Sequence, residues 1–223
     1  MEYTDTELLA AVSYNLQRGH AVKVGKLVNE LLNRGVTAEM ILNRGLISGM
    51  DEVGLRFRDN EIFVPEVLVA ARAMICGMNA IRPFIVHESF RPVGRVILGT
   101  VRGDIHDIGK NLVRMMMESK RIEVIDLGTD VSAAHFVQAA RTYDCNIVCC
   151  SALLTTTMAY IRDVIHAFQN AGIRDKVKIM IGGAPVTEAF RKNIGADIYT
   201  TDATTAAETA LSLINEMNGG IVS

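Results

Sequence analysis

Apolar residues in the first third of the chain recur at intervals of three and four: Leu8, Leu9, Val12 and Leu16, then Val24, Leu27, Val28, Leu31 and Leu32. That period lays an apolar stripe along one side of a helix, so residues 5–86 read as a bundle of about four helices. Gly19, Gly35 and Gly45 interrupt the pattern. Thr37 ahead of Ala38, Glu39 and Met40 has the chemistry of a helix start. Pro65 stands near the first turn of the segment 64–86, where its missing N–H costs little.

A second rhythm follows the segment ESFRPVG at 88–94, whose Pro92 and Gly94 break the helical period and predict a linker. Short apolar runs at 95–101, 122–127, 146–150, 177–181 and, more weakly, 198–200 alternate with helical patterns near 107–119, 132–142, 157–171, 187–193 and 203–217. Strand and helix in alternation imply right-handed crossovers and a parallel sheet. The predicted organisation is a helical bundle over 1–87, a linker over 88–94, and a flavodoxin-like (Rossmann-like) α/β domain with a five-stranded parallel sheet over 95–223. In such a domain ligands lie beyond the carboxyl ends of the strands, so the βα loops carry the interest.

Composition narrows the class. The 223 residues carry 23 Lys+Arg against 25 Asp+Glu, a net charge of −2, which argues against a partner that is nucleic acid or a membrane surface. With 49% apolar residues and four prolines the chain is globular, not disordered. The opening MEYTDTELL has no basic leader character, and no apolar run approaches the ~18 to 20 residues of a membrane span, so a cytoplasmic protein is expected. The four cysteines Cys76, Cys145, Cys149 and Cys150 show no CxxC spacing, and three share one apolar run where they read as reduced core residues.

Three loops hold candidate chemistry. The first reads Gly103, Asp104, Ile105, His106, Asp107, Ile108, Gly109, Lys110. In an extended loop, Asp104 two residues before His106 can turn back on the imidazole, fix its tautomer and make the other ring nitrogen a better metal ligand. The plainer reading is a loop histidine beside a helix start capped by Asp107. The third loop, Ser151 to Thr157, is rich in hydroxyls after a fully apolar strand, which suits either a binding edge or a helix cap. The fourth reads Gly182, Gly183, Ala184, Pro185, where paired glycines admit a close approach to the backbone or simply make a turn.

Taken together, the loops resemble the DxHxxG, SxL, GG signature of the cobalamin-binding domain family. Asp104, His106 and Gly109 are followed by 41 residues (110–150), then Ser151 and Leu153, then 28 residues (154–181), then Gly182 and Gly183. Upstream, FRDNEIFVPEV at 57–67 and ARAM at 71–74 are similar to the helical cap that precedes this domain in methionine synthase and in the corrinoid proteins of anaerobic methyltransferase systems.

The resemblance implies cobalamin bound base-off, with His106 as the lower cobalt ligand, Asp104 as its partner and Thr157 where the family carries a relay hydroxyl, commonly a serine. Ser151, Leu153, Thr155 and the Gly182, Gly183, Ala184, Pro185 turn would line the slot for the cofactor's nucleotide tail. Tyr199, Asp202 and Ala203 would close over that tail. Phe57, Val64 and Val67 would cover the upper face, although periodicity alone makes them bundle core. The implied function is a methyl shuttle. A substrate-specific methyltransferase would load the cobalt, and a second methyltransferase acting on tetrahydrofolate or coenzyme M would unload it, with a reductive activator as a further partner. The cap must then move aside for each enzyme, which predicts at least two domain arrangements. This makes the chain a carrier subunit, since 223 residues leave no room for a substrate barrel beside both domains. The alternatives are the cobalamin subunit of an adenosylcobalamin-dependent mutase, a cobalamin-dependent sensor, or a flavodoxin-like domain binding a flavin or nothing.

Overall fold

The structure is a computed structural model that describes residues 3–84 and 91–219. Two compact units divide the chain, Met1–Arg91 and Pro92–Ser223. Residues 87–90, which include His87 and the first part of the expected linker, lie outside the described residues.

The first unit contains α1 (Asp5–Gln17), α2 (Ala21–Asn33), α3 (Ala38–Met40), a π-helical segment Ile41–Ile47, α4 (Ser48–Arg58) and α5 (Val64–Ile81), which ends in a 3₁₀ turn, Arg82–Phe84. Because α3, the π segment and α4 run on without a break, the unit has four helical rods, as the period predicts. Their buried stripe includes Leu8, Val12 and Leu16 of α1 and Val24, Val28 and Leu31 of α2. Thr37 Oγ1 accepts from Met40 N at 3.2 Å, a cap worth about 1 kcal/mol.

Gly19 and Gly35 close α1 and α2 with positive φ (70° and 85°), but Gly45 ends nothing. It lies inside the π segment, where a Cβ would come within 3.0 Å of Val12 Cγ1, so its role is to let α1 approach. Residues 64–84 reach the length and, at a mean hydropathy of 1.4, the apolar character of a membrane span, contrary to the expectation from the sequence. That composition has a structural reason: α5 packs against α2 and buries Val67, Ala70, Ala73, Met74, Gly77 and Ile81.

The second unit is a parallel sheet in the order β2-β1-β3-β4-β5. Its strands are β1 (Gly94–Thr100), β2 (Ile122–Asp126), β3 (Ile147–Ser151), β4 (Lys178–Gly182) and β5 (Ile198–Tyr199). They alternate with α6 (Ile108–Ser119), α7 (Ala133–Tyr143), α8 (Met158–Asn170), α9 (Glu188–Ile194) and α10 (Ala203–Gly219). Both sheet faces are covered, which is why the strands read as continuous apolar runs. On one face Ile97, Val148, Ile179 and Ile181 pack with Phe136 of α7 and Phe168 of α8, each phenyl ring contributing roughly 1.5–3 kcal/mol. A Cβ at Gly99 would lie 2.7 Å from Phe136 Cζ, so glycine in mid-strand is a packing requirement of α7.

β1 begins at Gly94, one residue earlier than the apolar run suggests, paired with Ile122 of β2; a Cβ there would meet Ile214 Cγ2 of α10 at 2.6 Å, so the position requires glycine. Asn146 stands just before β3, and its Oδ1 accepts from Arg95 N at 2.9 Å. Cys145, Cys149 and Cys150 are free and buried. Burial pushes the Cys145 thiol up to about 11 and the Cys150 thiol up to about 12, so both stay protonated and inert. His20 has its Nδ1 3.1 Å from Asn15 Oδ1 at the α1–α2 corner.

Candidate functional site

The register of the sheet brings the three candidate loops to one edge. Thr100 pairs with Ser151 and Ser151 with Gly182, so β1, β3 and β4 end at the same level. Ser151, read as a loop residue, is the last residue of β3. The loop 101–107 therefore leaves β1 beside the starts of the loops at 152 and 183.

Asp104 is fully buried at the centre of this edge. Its Oδ1 accepts from His106 N at 3.1 Å and lies 2.7 Å from His106 Nδ1. Its Oδ2 accepts from Leu153 N at 2.8 Å, Leu154 N at 3.3 Å and Thr157 Oγ1 at 2.7 Å. Burial by itself would raise the pKa, but these donors outweigh it and hold the carboxyl well below the usual carboxylate range. An ionised carboxylate only accepts hydrogen bonds, which assigns the proton on His106 to Nδ1 and leaves the Nε2 lone pair free. Among the described residues nothing hydrogen-bonds Nε2, and the imidazole is 46% exposed.

Asp107 does not cap α6 with its side chain; its Oδ2 accepts from Asn111 Nδ2 at 3.1 Å. Thr157 stands at the start of α8 without capping it; its hydroxyl reaches Asp104 and, at 2.9 Å, the carbonyl of Leu154. The ionised carboxylate is the stronger acceptor for that one proton. Around His106 the apolar side chains Ile105 (77% exposed), Ile108 (67%), Leu153 and Leu154 stand in solvent. Four exposed aliphatic residues about one unpartnered ring nitrogen make a surface built to be covered.

The paired glycines separate. Gly183 has φ +127°, and a Cβ there would lie 1.9 Å from the Ala152 carbonyl oxygen, so the fold itself demands glycine. At Gly182 a Cβ would meet Thr200 O at 3.5 Å and Thr200 Oγ1 at 3.9 Å, both ordinary contacts. Gly109 faces open space, with nothing within 4 Å. Ala184 and Pro185 continue the turn closed by Val186 N on Gly183 O at 2.9 Å, and Thr155 is exposed.

Tyr199 is half-buried at the end of β5, and Ala203 is buried in the first turn of α10. Asp202 Oδ1 accepts from Thr205 N at 2.8 Å, and Oδ2 from the hydroxyls of Thr205 and Thr201 at 2.7 and 3.0 Å, which commits the carboxylate to capping α10. In the helical unit Val67 is fully buried, while Phe57 and Val64 are half-buried and the neighbouring Phe63 is 65% exposed.

Several residues of this edge were not evident from sequence. Thr100, fully buried, donates from Oγ1 to the His106 carbonyl at 2.8 Å. Lys110, the last residue of the quoted loop, is buried with its Nζ 2.6 Å from both oxygens of Asp126, which also accepts from Gly128 N at 2.9 Å. An apolar strand that ends in Asp and a Lys in the first turn of the preceding helix were the available signal, but only the packing of α6 on the sheet pairs them.

The B12 binding domain family matches residues 94–211, and a second B12 binding domain family matches residues 8–82. The chain belongs to the B12-binding family. A dimethylamine corrinoid protein of Methanosarcina barkeri is 42% identical over 175 residues, 78% of this chain and 82% of the relative. The crystal structure of a cobalamin-binding protein from Desulfitobacterium hafniense superposes with a TM-score of 0.78 at 28% identity, covering 92% of this chain and 98% of that one. The methanol:cobalamin methyltransferase complex of Methanosarcina barkeri does so with a TM-score of 0.82 at 26% identity, covering 95% and 81%. The edge suits the cofactor of a B12-binding protein on its own geometry. An imidazole with a free nitrogen stands among exposed aliphatic side chains, and Gly182 leaves unfilled the space of a missing Cβ.

Proposed function

We propose that this B12-binding protein is a corrinoid methyl carrier in which His106 Nε2 is the lower ligand of cobalt. The observation that carries the ligand assignment is the free Nε2 of an imidazole whose other nitrogen is held by a buried carboxylate with four further hydrogen bonds. Cobalamin, when bound, would supply the methyl-transfer chemistry that links one methyltransferase to another.

The chain's own residues govern the axial site. Asp104 keeps the proton on Nδ1 and thereby strengthens Nε2 as a donor, while Thr157 and the Leu153 and Leu154 amides keep Asp104 ionised. The donors to Asp104 hold its carboxyl well below the usual carboxylate range, so it would remain the acceptor for Nδ1–H of His106 with or without cobalamin. Ser151, Leu153, Thr155 and the Gly182 backbone line the slot for the nucleotide tail, with Ala184 and Pro185 shaping its rim. Gly103, Ile105 and Asp107 of the loop, with Ile108 and Gly109 of the first turn of α6, would face the corrin. Tyr199, Asp202 and Ala203 close the far end of the slot, Asp202 by fixing the first turn of α10. Of the residues expected over the upper face, Phe57 and Val64 keep part of their surface exposed in the helical unit, while Val67 is fully buried core.

On the donor side stands a methyltransferase, for which the name of the 42% identical relative points to a methylated amine as substrate class. On the acceptor side stands a methyltransferase acting on tetrahydrofolate or coenzyme M, with a reductive activator as a third partner. Names of this kind among the relatives favour the carrier over the mutase subunit and the sensor.

The test is His106→Ala. The variant, reconstituted with cobalamin, is expected to retain the corrinoid through gel filtration yet lose the absorption of a histidine-ligated cobalt. An unchanged spectrum would overturn the ligand assignment, and a colourless wild-type protein would overturn the carrier reading.

A further inference from the structure

We propose that Asp130, in the loop between β2 and α7, is a positioning residue that braces the His106 loop from outside it. Two hydrogen bonds run between the loops in opposite senses. Asp130 Oδ1 accepts from Gly103 N at 2.7 Å, and Asp130 N donates to the Asp104 carbonyl at 2.9 Å. The pair brackets residues 103 and 104, the two positions whose backbone decides where the buried Asp104 carboxylate points.

The backbone on both sides is held in a conformation that few residues favour. Asp130 has φ +55° and Gly103 φ +76°, both left-handed. For a residue other than glycine this conformation carries an energetic cost, which the surrounding bonds must sustain, and a short polar side chain such as Asp lowers it. Those bonds extend the sheet past its last strand residues: Thr100 N donates to Gly128 O at 3.0 Å, Val131 N to Thr100 O at 2.9 Å, and Val101 bridges Val131 in parallel. Asp130 thus ends a ladder that joins the β2–α7 loop to the His106 loop, and its carboxylate adds the rung the backbone lacks at Gly103. Without that rung residues 103–104 are tethered to the β2–α7 loop by one bond instead of two, which loosens the backbone that aims the Asp104 carboxylate at Nδ1–H of His106.

The inference rests on the reading of His106 as cobalt ligand for its consequence, but not for its geometry, so its test has two readouts. Three variants divide the possible causes. Asp130→Asn keeps the acceptor and the tolerance of positive φ; Asp130→Gly keeps the φ and loses the acceptor; Asp130→Ala loses both. In apo-protein labelled with ¹⁵N-histidine, wild type and Asp130→Asn are expected to show His106 as the single Nδ1–H tautomer, and Asp130→Gly a mixture of tautomers. In cobalamin-loaded protein the ratio of histidine-ligated to unligated cobalt is expected to fall about tenfold in Asp130→Gly, equivalent to ~1.4 kcal/mol and the scale of one hydrogen bond. It should stay within about twofold in Asp130→Asn, since the neutral acceptor retains the same bond. A brace that merely stabilised the fold would lower the melting temperature and leave the tautomer unmoved. A single Nδ1–H tautomer in Asp130→Gly overturns the proposal whatever the cobalt shows. A wild-type cobalt without histidine ligation overturns the ligand reading and leaves the brace to be decided by the tautomer alone.

Discussion

Five donors converge on the two oxygens of Asp104, and one of them is the hydroxyl of Thr157. The family's usual serine differs from threonine by one methyl group, and the geometry shows the hydroxyl in place despite it. Replacing Thr157 with Val keeps the shape and deletes a hydrogen bond to a buried charge, so the apo-protein should lose roughly 1.5–3 kcal/mol in urea denaturation. Thr157→Ser should lose clearly less, and equal losses would show that the hydroxyl contributes nothing.

Asp126 supplies a pH prediction away from the histidine. Burial raises its pKa, but the Lys110 ammonium, the Gly128 amide and Arg114 outweigh that and hold it below its ordinary value. A carboxyl depressed in the folded state adds stability that is present above its unfolded pKa of about 3.9 and is lost as pH falls through the folded value. Thermal stability from this source should be flat from pH 7 to 5 and decline below about pH 4. Asp126→Asn should flatten that acid decline while lowering stability at pH 7. An acid limb unchanged by the substitution would count against the assignment.

At the scale of elements, the parallel register of β1, β3 and β4 makes three separate sequence runs into one edge. The glycines after β4 then divide by cause. Gly183→Ala should abolish or severely impair folding, because its Cβ would overlap the Ala152 carbonyl at a φ of +127°. Gly182→Ala should leave the apo-protein's melting temperature near that of wild type and weaken cobalamin retention, since only a bound tail would occupy that space. Equal loss of folding in both variants would remove the argument for a slot at Gly182. The pair separates two meanings of glycine that the letters alone do not distinguish.

For the whole molecule, the unit Pro92–Ser223 has its own core and contains the whole candidate edge, from Thr100 to Asp202. A fragment of residues 92–223 is therefore expected to unfold in one cooperative transition and to bind cobalamin with the spectrum of histidine ligation. A fragment that fails to fold would show that the helical unit supplies part of the second unit's stability. Scattering profiles of the full chain, alone and with a methyltransferase partner, should differ; one unchanged profile would count against a cap that moves.

The period of apolar positions by itself determined four helical rods followed by an alternating α/β unit, because burial of a helix stripe or a two-sided strand leaves a local, countable trace. The spacing of DxHxxG, SxL and GG determined the family, and the two-residue offset of Asp104 and His106 anticipated their hydrogen bond. Tertiary structure alone decided which carboxylate atom meets which donor, that Lys110 pairs with Asp126, and that Asp130 reaches Gly103. It also decided that Gly45 admits a neighbouring helix instead of ending its own. Those contacts join residues distant along the chain, and strand register and close backbone approach, which set them, leave no periodic mark in the order of residues.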